Sequence, residues 1–359
     1  MATSRVEVGP SAAVSRTAGA AAAEGGLRVL VVASMLPVGG SYTGIFIAEQ
    51  VRSLRAARIH VDVLSLDVGK TRLNYLLSFP RLFRAIRAGG FGLIHTHHTY
   101  SLLLIDLAKR LARSRVPVVL TSHEGEALHA GDRPWLSTQR LARSLFLKRL
   151  AARRADFVVF VSDALARAVS ATDRYAVIPC GVDLEVFKPL DPRRCRQQLG
   201  ISPDDTVIFF PADPQARGKR FALAQAAYEI VRERVPRAVL LTAGNIPYES
   251  MPVYYGAADV VLQASFYEAS PTVVKESLAC EVPLVSTDSG DTREIVEGAA
   301  SCFVCANDPR ELAGRILDCL GHRAVNGRQR LLAKGLSLPQ VAERIIGIYG
   351  RVLGKSEPL

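Results

Sequence analysis

Residues 27–64 read LRVLVVASMLPVGGSYTGIFIAEQVRSLRAARIHVDVL. Residues 29–33 are an unbroken aliphatic run, as a parallel strand buried on both faces requires. Ile47, Val51 and Leu54 then fall on one stripe of a helix over 45–57, and 59–64 is strand-like again. Strand, helix, strand is the unit of a parallel sheet with right-handed crossovers. Short apolar runs recur at 93–95, 116–121, 157–161 and 175–178, with helical stretches between most of them. Pro179, Gly181, Pro189 and Pro192 then break the rhythm and mark a linker. The alternation restarts with strands at 207–210, 238–242, 260–263 and 284–286 and helices at 221–234, 273–279 and 311–320. The pattern predicts an α/β protein of two doubly wound, Rossmann-like domains joined near residue 185. Residues 1–26 read as a disordered tail, 27–185 as the first domain, 186–338 as the second, and 339–359 as a helix and tail whose packing partner the sequence does not give. Ligands of such sheets bind at the carboxyl ends of the strands, so the cleft between the domains is the expected site.

Composition narrows the partners. Hydrophobic residues make up 49% of the 359 and charged residues 22%, enough apolar mass for two cores. The net charge of +11 favours an anionic partner: a nucleotide, a nucleic acid or an anionic membrane face. The apolar α/β alternation, without an interleaved basic and aromatic stripe, argues against nucleic acid. The apolar runs are too short to span a bilayer, and residues 1–26 lack the apolar region of a signal peptide. Cys302 and Cys305 form one CxxC, but on a strand they point to opposite faces, and no second pair exists to complete a zinc site. Six scattered cysteines therefore point to a reducing, cytoplasmic setting. The basic amphipathic segment 133–154 suits either the inner face of an anionic membrane or a core-facing helix with a solvated back.

The chemistry concentrates in residues 266–296, FYEASPTVVKESLACEVPLVSTDSGDTREIV. Ser270 and Pro271 precede a helix starting near Thr272 and Val273, and Pro suits the first turn. A helix start offers unpaired N–H groups and a positive dipole end to a phosphate. Glu268 lies in the loop before it, and Glu276 about one turn inside. One carboxylate can thus sit at each end of a bound diphosphate, accepting hydrogen bonds from sugar hydroxyls. The same spacing also suits two ordinary surface glutamates. Arg217 and Lys219 follow the strand at 207–210 and should also reach the cleft. In the first domain, Gly39, Gly40 and Gly44 permit close backbone approach to a phosphate or sugar. His123 follows the strand at 116–121, and His97 and His98 follow that at 93–95. GGSYTG lacks the glycine spacing of a dinucleotide-binding turn, which argues against a nicotinamide dehydrogenase.

The paired glutamates, with IPCGVDLEVFKP at the linker and GIFIAEQVRSL in the first helix, resemble glycosyltransferase family 4 in the right order. MPVYYGAADV, SPTVVKESLAC and PLVSTDSGD resemble a bacterial branch associated with cell-surface polysaccharide assembly. The resemblance implies a GT-B fold and a retaining, metal-independent transfer from a nucleotide sugar, with no further cofactor. It implies that Glu268 and His123 meet the donor sugar and Glu276 the ribose. Lys219 and an Arg hold the diphosphate, and the glycine loop faces the phosphates and the acceptor. The family Arg stands near Asp213 here, so Arg217 is its candidate substitute. Glu124 is inserted between His123 and Gly125, and Cys280–Glu281 stands where the family ends its helix with Gly. The short AGNIPYES after the strand at 238–242 leaves the base unspecified, with uracil the working choice. Expected partners are a UDP-sugar and a saccharide, lipid-linked or natural-product acceptor. A non-catalytic nucleotide-sugar-binding protein of the same fold is the alternative.

Overall fold

The structure, a computed structural model, describes residues 26–34, 36, 37, 44–68, 71, 73–124, 145–170, 172–244, 246–320 and 326–355. Most of the expected tail, Gly39, Gly40 and residues 133–144 of the basic segment lie outside the described residues.

Two parallel sheets form. The first has β1 Arg28–Ala33, β2 His60–Ser65, β3 Leu93–Thr96, β4 Val118–Ser122, β5 Phe157–Phe160 and β6 Tyr175–Val177, in the order β2-β1-β3-β4-β5-β6. The second has β7 Thr206–Phe210, β8 Ala238–Thr242, β9 Val260–Gln263, β10 Leu284–Thr287 and β11 Cys302–Cys305, in the order β11-β10-β9-β7-β8. The strand order reverses between β1 and β3 in one sheet and between β7 and β9 in the other. Ligand crevices open at such switch points. Past their first residues, Arg28 and Thr206, the central strands β1 and β7 are buried, as is all of β9, which explains the unbroken aliphatic runs.

Helices cover both faces of each sheet. On the first sheet, Leu82, Ile86, Leu102, Ile105 and Ala108 pack one face from helices Phe79–Ala88 and Ser101–Ala112. The other face is covered by helix Ile45–Ala56 and by the last helix, Leu338–Val352. The partner of that last helix is thus the first domain. Val341, Ile345, Ile348 and Tyr349 join the strand core, and the Tyr349 hydroxyl bonds Nδ1 of buried His95 at 2.7 Å. Ser53 Oγ donates to the Leu338 carbonyl at 2.9 Å, fixing the helix start. The linker is held from both sides. Arg52 of the first domain pairs with Asp183, and Arg328 donates to the carbonyls of Leu184, Phe187 and Ala279. All six cysteines are free, and Cys302 and Cys305 sit on β11 as separate side chains.

Candidate active site

In the second domain the loops after β7 and β9 meet. The Phe266 N–H donates to the Gly218 carbonyl at 2.8 Å. Arg220, left-handed at φ 52°, donates to the carbonyls of Ala264 and Ser265 and stacks over Phe266. With the loops clamped, Lys219 Nζ meets Glu268 Oε1 at 2.5 Å, both side chains half-buried. Arg217 is exposed and has no carboxylate partner among the described residues. Asp213, also exposed, accepts from the backbone N–H of Gln215 at 2.8 Å. It is occupied within its own turn.

Helix Thr272–Ala279 starts beside this pair. Pro271 is its N-cap, and no side chain caps it. Ser162, Asp191 and Asp308, by contrast, cap their own helices. Ser270 is spent differently: its hydroxyl donates to Asp291 at 2.8 Å and accepts from Lys275 Nζ at 2.6 Å. All three side chains are buried. Gly290 (φ 61°) lets the Asp291 loop close up, since a Cβ there would lie 2.8 Å from the Ala269 carbonyl oxygen. The first-turn N–H groups of the helix are therefore left for an anion.

Glu276 is buried, which sets aside the reading of it as an ordinary surface glutamate. Its carboxylate accepts from the hydroxyls of Tyr255 at 2.8 Å and Tyr248 at 3.3 Å. Burial raises its pKa and these hydrogen bonds work against that. The short segment after β8 thus supplies Tyr248 directly to the paired-glutamate helix. Glu281, where the family pattern has Gly, adopts φ 52°, a left-handed helix end that glycine takes without strain.

The opposing wall is built from β3, β4 and the linker. His123 packs its ring 4.3 Å from that of Phe46. Its Nε2 lies 3.2 Å from His97 Nδ1, and its Nδ1 lies 3.6 Å from Cys180 Sγ. Burial lowers the His123 and His95 pKa values to about 3 and takes His97 well down, so all three rings are neutral. Glu124 works against that for His123, while His98 and Lys275 lower it further. Burial pushes the Cys180 thiol up to about 11, so it stays protonated beside His123. The inserted Glu124 turns inward. It accepts from the Thr99 N–H at 2.8 Å and from Ser122 Oγ, tying the ends of β3 and β4 together. Burial raises its pKa, but His98, Lys148 and these hydrogen bonds outweigh that and bring it to about 2. Gly44 (φ 77°) opens helix Ile45–Ala56 on the same wall.

Sequence reasoning passed over Lys275, Asp291, Tyr248, Tyr255 and Cys180. The one available signal was Lys275, the lone cation on helix Thr272–Ala279.

Two Rossmann-like sheets with clustered charge on facing loops define a GT-B protein. The family model described as Glycosyltransferase Family 4 matches residues 20–186, and that described as Glycosyl transferases group 1 matches 217–322. The D-inositol 3-phosphate glycosyltransferase of Frankia alni is 28% identical over 291 residues, 68% of this chain and 69% of that protein. That of Nocardia farcinica is 26% identical over 310 residues, 74% and 67% of the two chains. About a third of each relative's length thus has no counterpart in the alignment. Sucrose-phosphate synthase from Thermosynechococcus elongatus superposes with a TM-score of 0.73 at 20% identity, over 91% of this chain and 99% of that one. Anabaena Alr3699/HepE in complex with UDP and glucose gives 0.65 at 19%, over 90% and 100%. The chain is a glycosyltransferase, with a family 4 domain followed by a group 1 domain.

Proposed function

We propose that the protein transfers a sugar from a UDP-sugar to a polyhydroxylated acceptor, retaining the anomeric configuration and using no metal. The observation that carries this reading is the Lys219–Glu268 pair beside the uncapped start of helix Thr272–Ala279. Lys219, Arg217 and the N–H groups at Thr272 and Val273 meet the diphosphate and stabilise the charge that grows as the sugar leaves. Glu268, oriented by Lys219, accepts from donor-sugar hydroxyls. Ser270 and Pro271 shape the loop rather than bind. Glu276 keeps lone pairs beyond the two tyrosine bonds, and these serve the ribose.

His123 is neutral and polar, suited to a hydroxyl near the reacting carbon rather than to ionic catalysis. A leaving phosphate oxygen takes the acceptor proton, so no strong protein base is needed. Catalysis then rests on positioning and electrostatics. Anabaena Alr3699/HepE is seen with UDP and with UDP-glucose, which favours uracil. The relatives named for inositol phosphate favour a hydroxyl-rich ring acceptor, whether free, lipid-linked or part of a natural product. Six free cysteines suit a reducing, cytoplasmic setting.

The test is thermal stability with UDP, GDP, ADP and their glucose conjugates, since a ligand of the folded state raises the apparent Tm. UDP and UDP-glucose should raise it in wild type and not in Lys219→Met. No shift with any of the six compounds would overturn the reading. Turnover in excess chelator with a retained anomer is the companion expectation; loss restored by magnesium would refute metal independence.

A further inference from the structure

The helical layer on the outer face of the first domain carries an apolar surface that the fold leaves open. On helix Ser101–Ala112, Leu102, Ile105 and Ala108 turn into the core. Leu103, Leu107 and Leu111, each four residues from the next, face out at 44%, 48% and 59% exposure. Helix Asn74–Leu77 buries none of its residues, and Leu73, Leu76 and Leu77 stand at 64%, 69% and 69% exposure. Scattered surface leucines need no explanation, but two sets on helices that pack against the same third helix do.

Charge identifies the occupant. The helix between these two, Phe79–Ala88, points Arg81, Arg84 and Arg87 outward, with no carboxylate partner among the described residues. Residues 73–115 hold seven Lys and Arg against one Asp. That Asp106 is already engaged by Arg110 and Arg154. Leucines rimmed by unpaired arginines match the boundary of an anionic bilayer, with side chains in the acyl region and guanidinium groups at lipid phosphates. The patch also begins at the mouth of the cleft. Tyr75 meets His98 Nδ1 at 3.0 Å, and Asn74 donates to the Asp67 carbonyl at 2.8 Å. The leucine turn is thereby anchored to the carboxyl ends of β2 and β3.

We infer that this face docks on an anionic lipid bilayer, seating Leu73, Leu76 and Leu77 beside the open cleft. Docking in this orientation brings an acceptor held in the bilayer to the first-domain wall. It does not depend on the donor assignment, because UDP binding is read separately.

The experiment is co-sedimentation of the full chain with phosphatidylglycerol–phosphatidylcholine vesicles and with phosphatidylcholine vesicles, at about 50 mM and about 500 mM salt. Wild type should bind the anionic vesicles at low salt, release at high salt and ignore the neutral ones. Leu76→Ser/Leu77→Ser and Arg81→Glu/Arg84→Glu should each weaken binding at least tenfold, while keeping the circular dichroism and the UDP-induced Tm shift of wild type. Leu332→Ser, at an exposed leucine of the second domain, should bind like wild type. Binding unaffected by the patch variants, equal binding to neutral vesicles, or no binding overturns the proposal. So does a wild-type dimer in sedimentation velocity that the leucine variant turns into a monomer, since the patch would then be a contact between copies.

Discussion

The two walls of the cleft are built on opposite electrostatic plans. The second-domain wall is ionic: Lys219 on Glu268, and Lys275 on Ser270 beside Asp291. The first-domain wall places the neutral imidazoles of His97 and His123 where the second places charges, with neutral His95 in the core behind them. A diphosphate needs fixed cations, whereas sugar and acceptor hydroxyls need polar groups without net charge. Under the proposed function, the difference divides the labour between the walls. Charge is held in place beforehand on one side, and on the other the inward carboxylate, Glu124, is tied up between β3 and β4.

The largest expected effect strikes the ionic wall. Lys219→Met should lower kcat by about 10²–10³ if Lys219 stabilises the leaving phosphate, in line with removal of a preorganised donor. Retained turnover in a folded Lys219→Met protein would erase the contrast between the walls.

The neutral wall makes its own demand, on stability. His95 and His123 titrate near 3 in the fold and near 6.5 when unfolded, and His97 is shifted the same way. Below about pH 6.5 the unfolded chain takes up protons that the native rings refuse. Each ring therefore removes up to about 1.4 kcal/mol of stability per pH unit as the pH falls toward 3. Glu124, lowered to about 2, adds a loss of the same sign between its ordinary value of 4.5 and about 2. Glu276 and Asp291, both raised by burial, oppose it, since the fold takes up their protons before the unfolded chain does. Urea midpoints should fall from pH 6.5 to 5, before Glu124 contributes, with Glu276 and Asp291 softening the fall. A flat profile there would show that the rings accept protons in the fold.

Glu276 sharpens the comparison at the edge of the ionic wall. Glu276→Ala removes the buried acceptor that Tyr248 and Tyr255 share and should cost about 2–4 kcal/mol. Glu276→Gln, which keeps an acceptor oxygen, should cost about 1 kcal/mol and still weaken UDP binding. Chemical denaturation and calorimetry separate the two outcomes; an Ala variant as stable as wild type would show that burying the carboxylate costs as much as its hydrogen bonds return.

The smallest effects concern two departures from the family pattern. Arg217→Lys should reduce turnover several-fold if a bidentate guanidinium grips the phosphate, while Asp213→Ala should be mild. Wild-type turnover in Arg217→Ala would leave Lys219 as the working cation. Glu281→Gly should raise stability by about 1 kcal/mol, because glycine takes the left-handed position without strain. A destabilised Gly variant would show that the Glu281 side chain has a compensating role.

The alternation of strands and helices was legible because buried parallel strands admit little but aliphatic residues, and the switch points then place the loops after β7 and β9 together. The packing of the last helix was not. Val341, Ile345 and Ile348 announce an apolar stripe, but a stripe does not name the surface that it meets. The burial of Glu276 was hidden for a related reason. Helical spacing puts it one turn from the phosphate end but cannot show that two tyrosines from another segment close over it. Lys275 escaped because a lysine is ordinarily a solvated residue, and its burial depends on Ser270 and Asp291 arriving from loops on either side. Glu124 reads as an interruption of a motif in one dimension and as a tie between two strands in three.

Helix Leu338–Val352 completes the core of the first domain, so the part of that sheet face beside helix Ile45–Ala56 stays bare until residues 338–352 have been synthesised. At roughly 5–20 residues per second, that leaves an apolar strand surface open for on the order of ten seconds or more on the ribosome. The first domain cannot finish folding on its own schedule. It waits for residues far along the chain, and a ribosome that stalls before residue 338 releases a domain with part of its lining exposed.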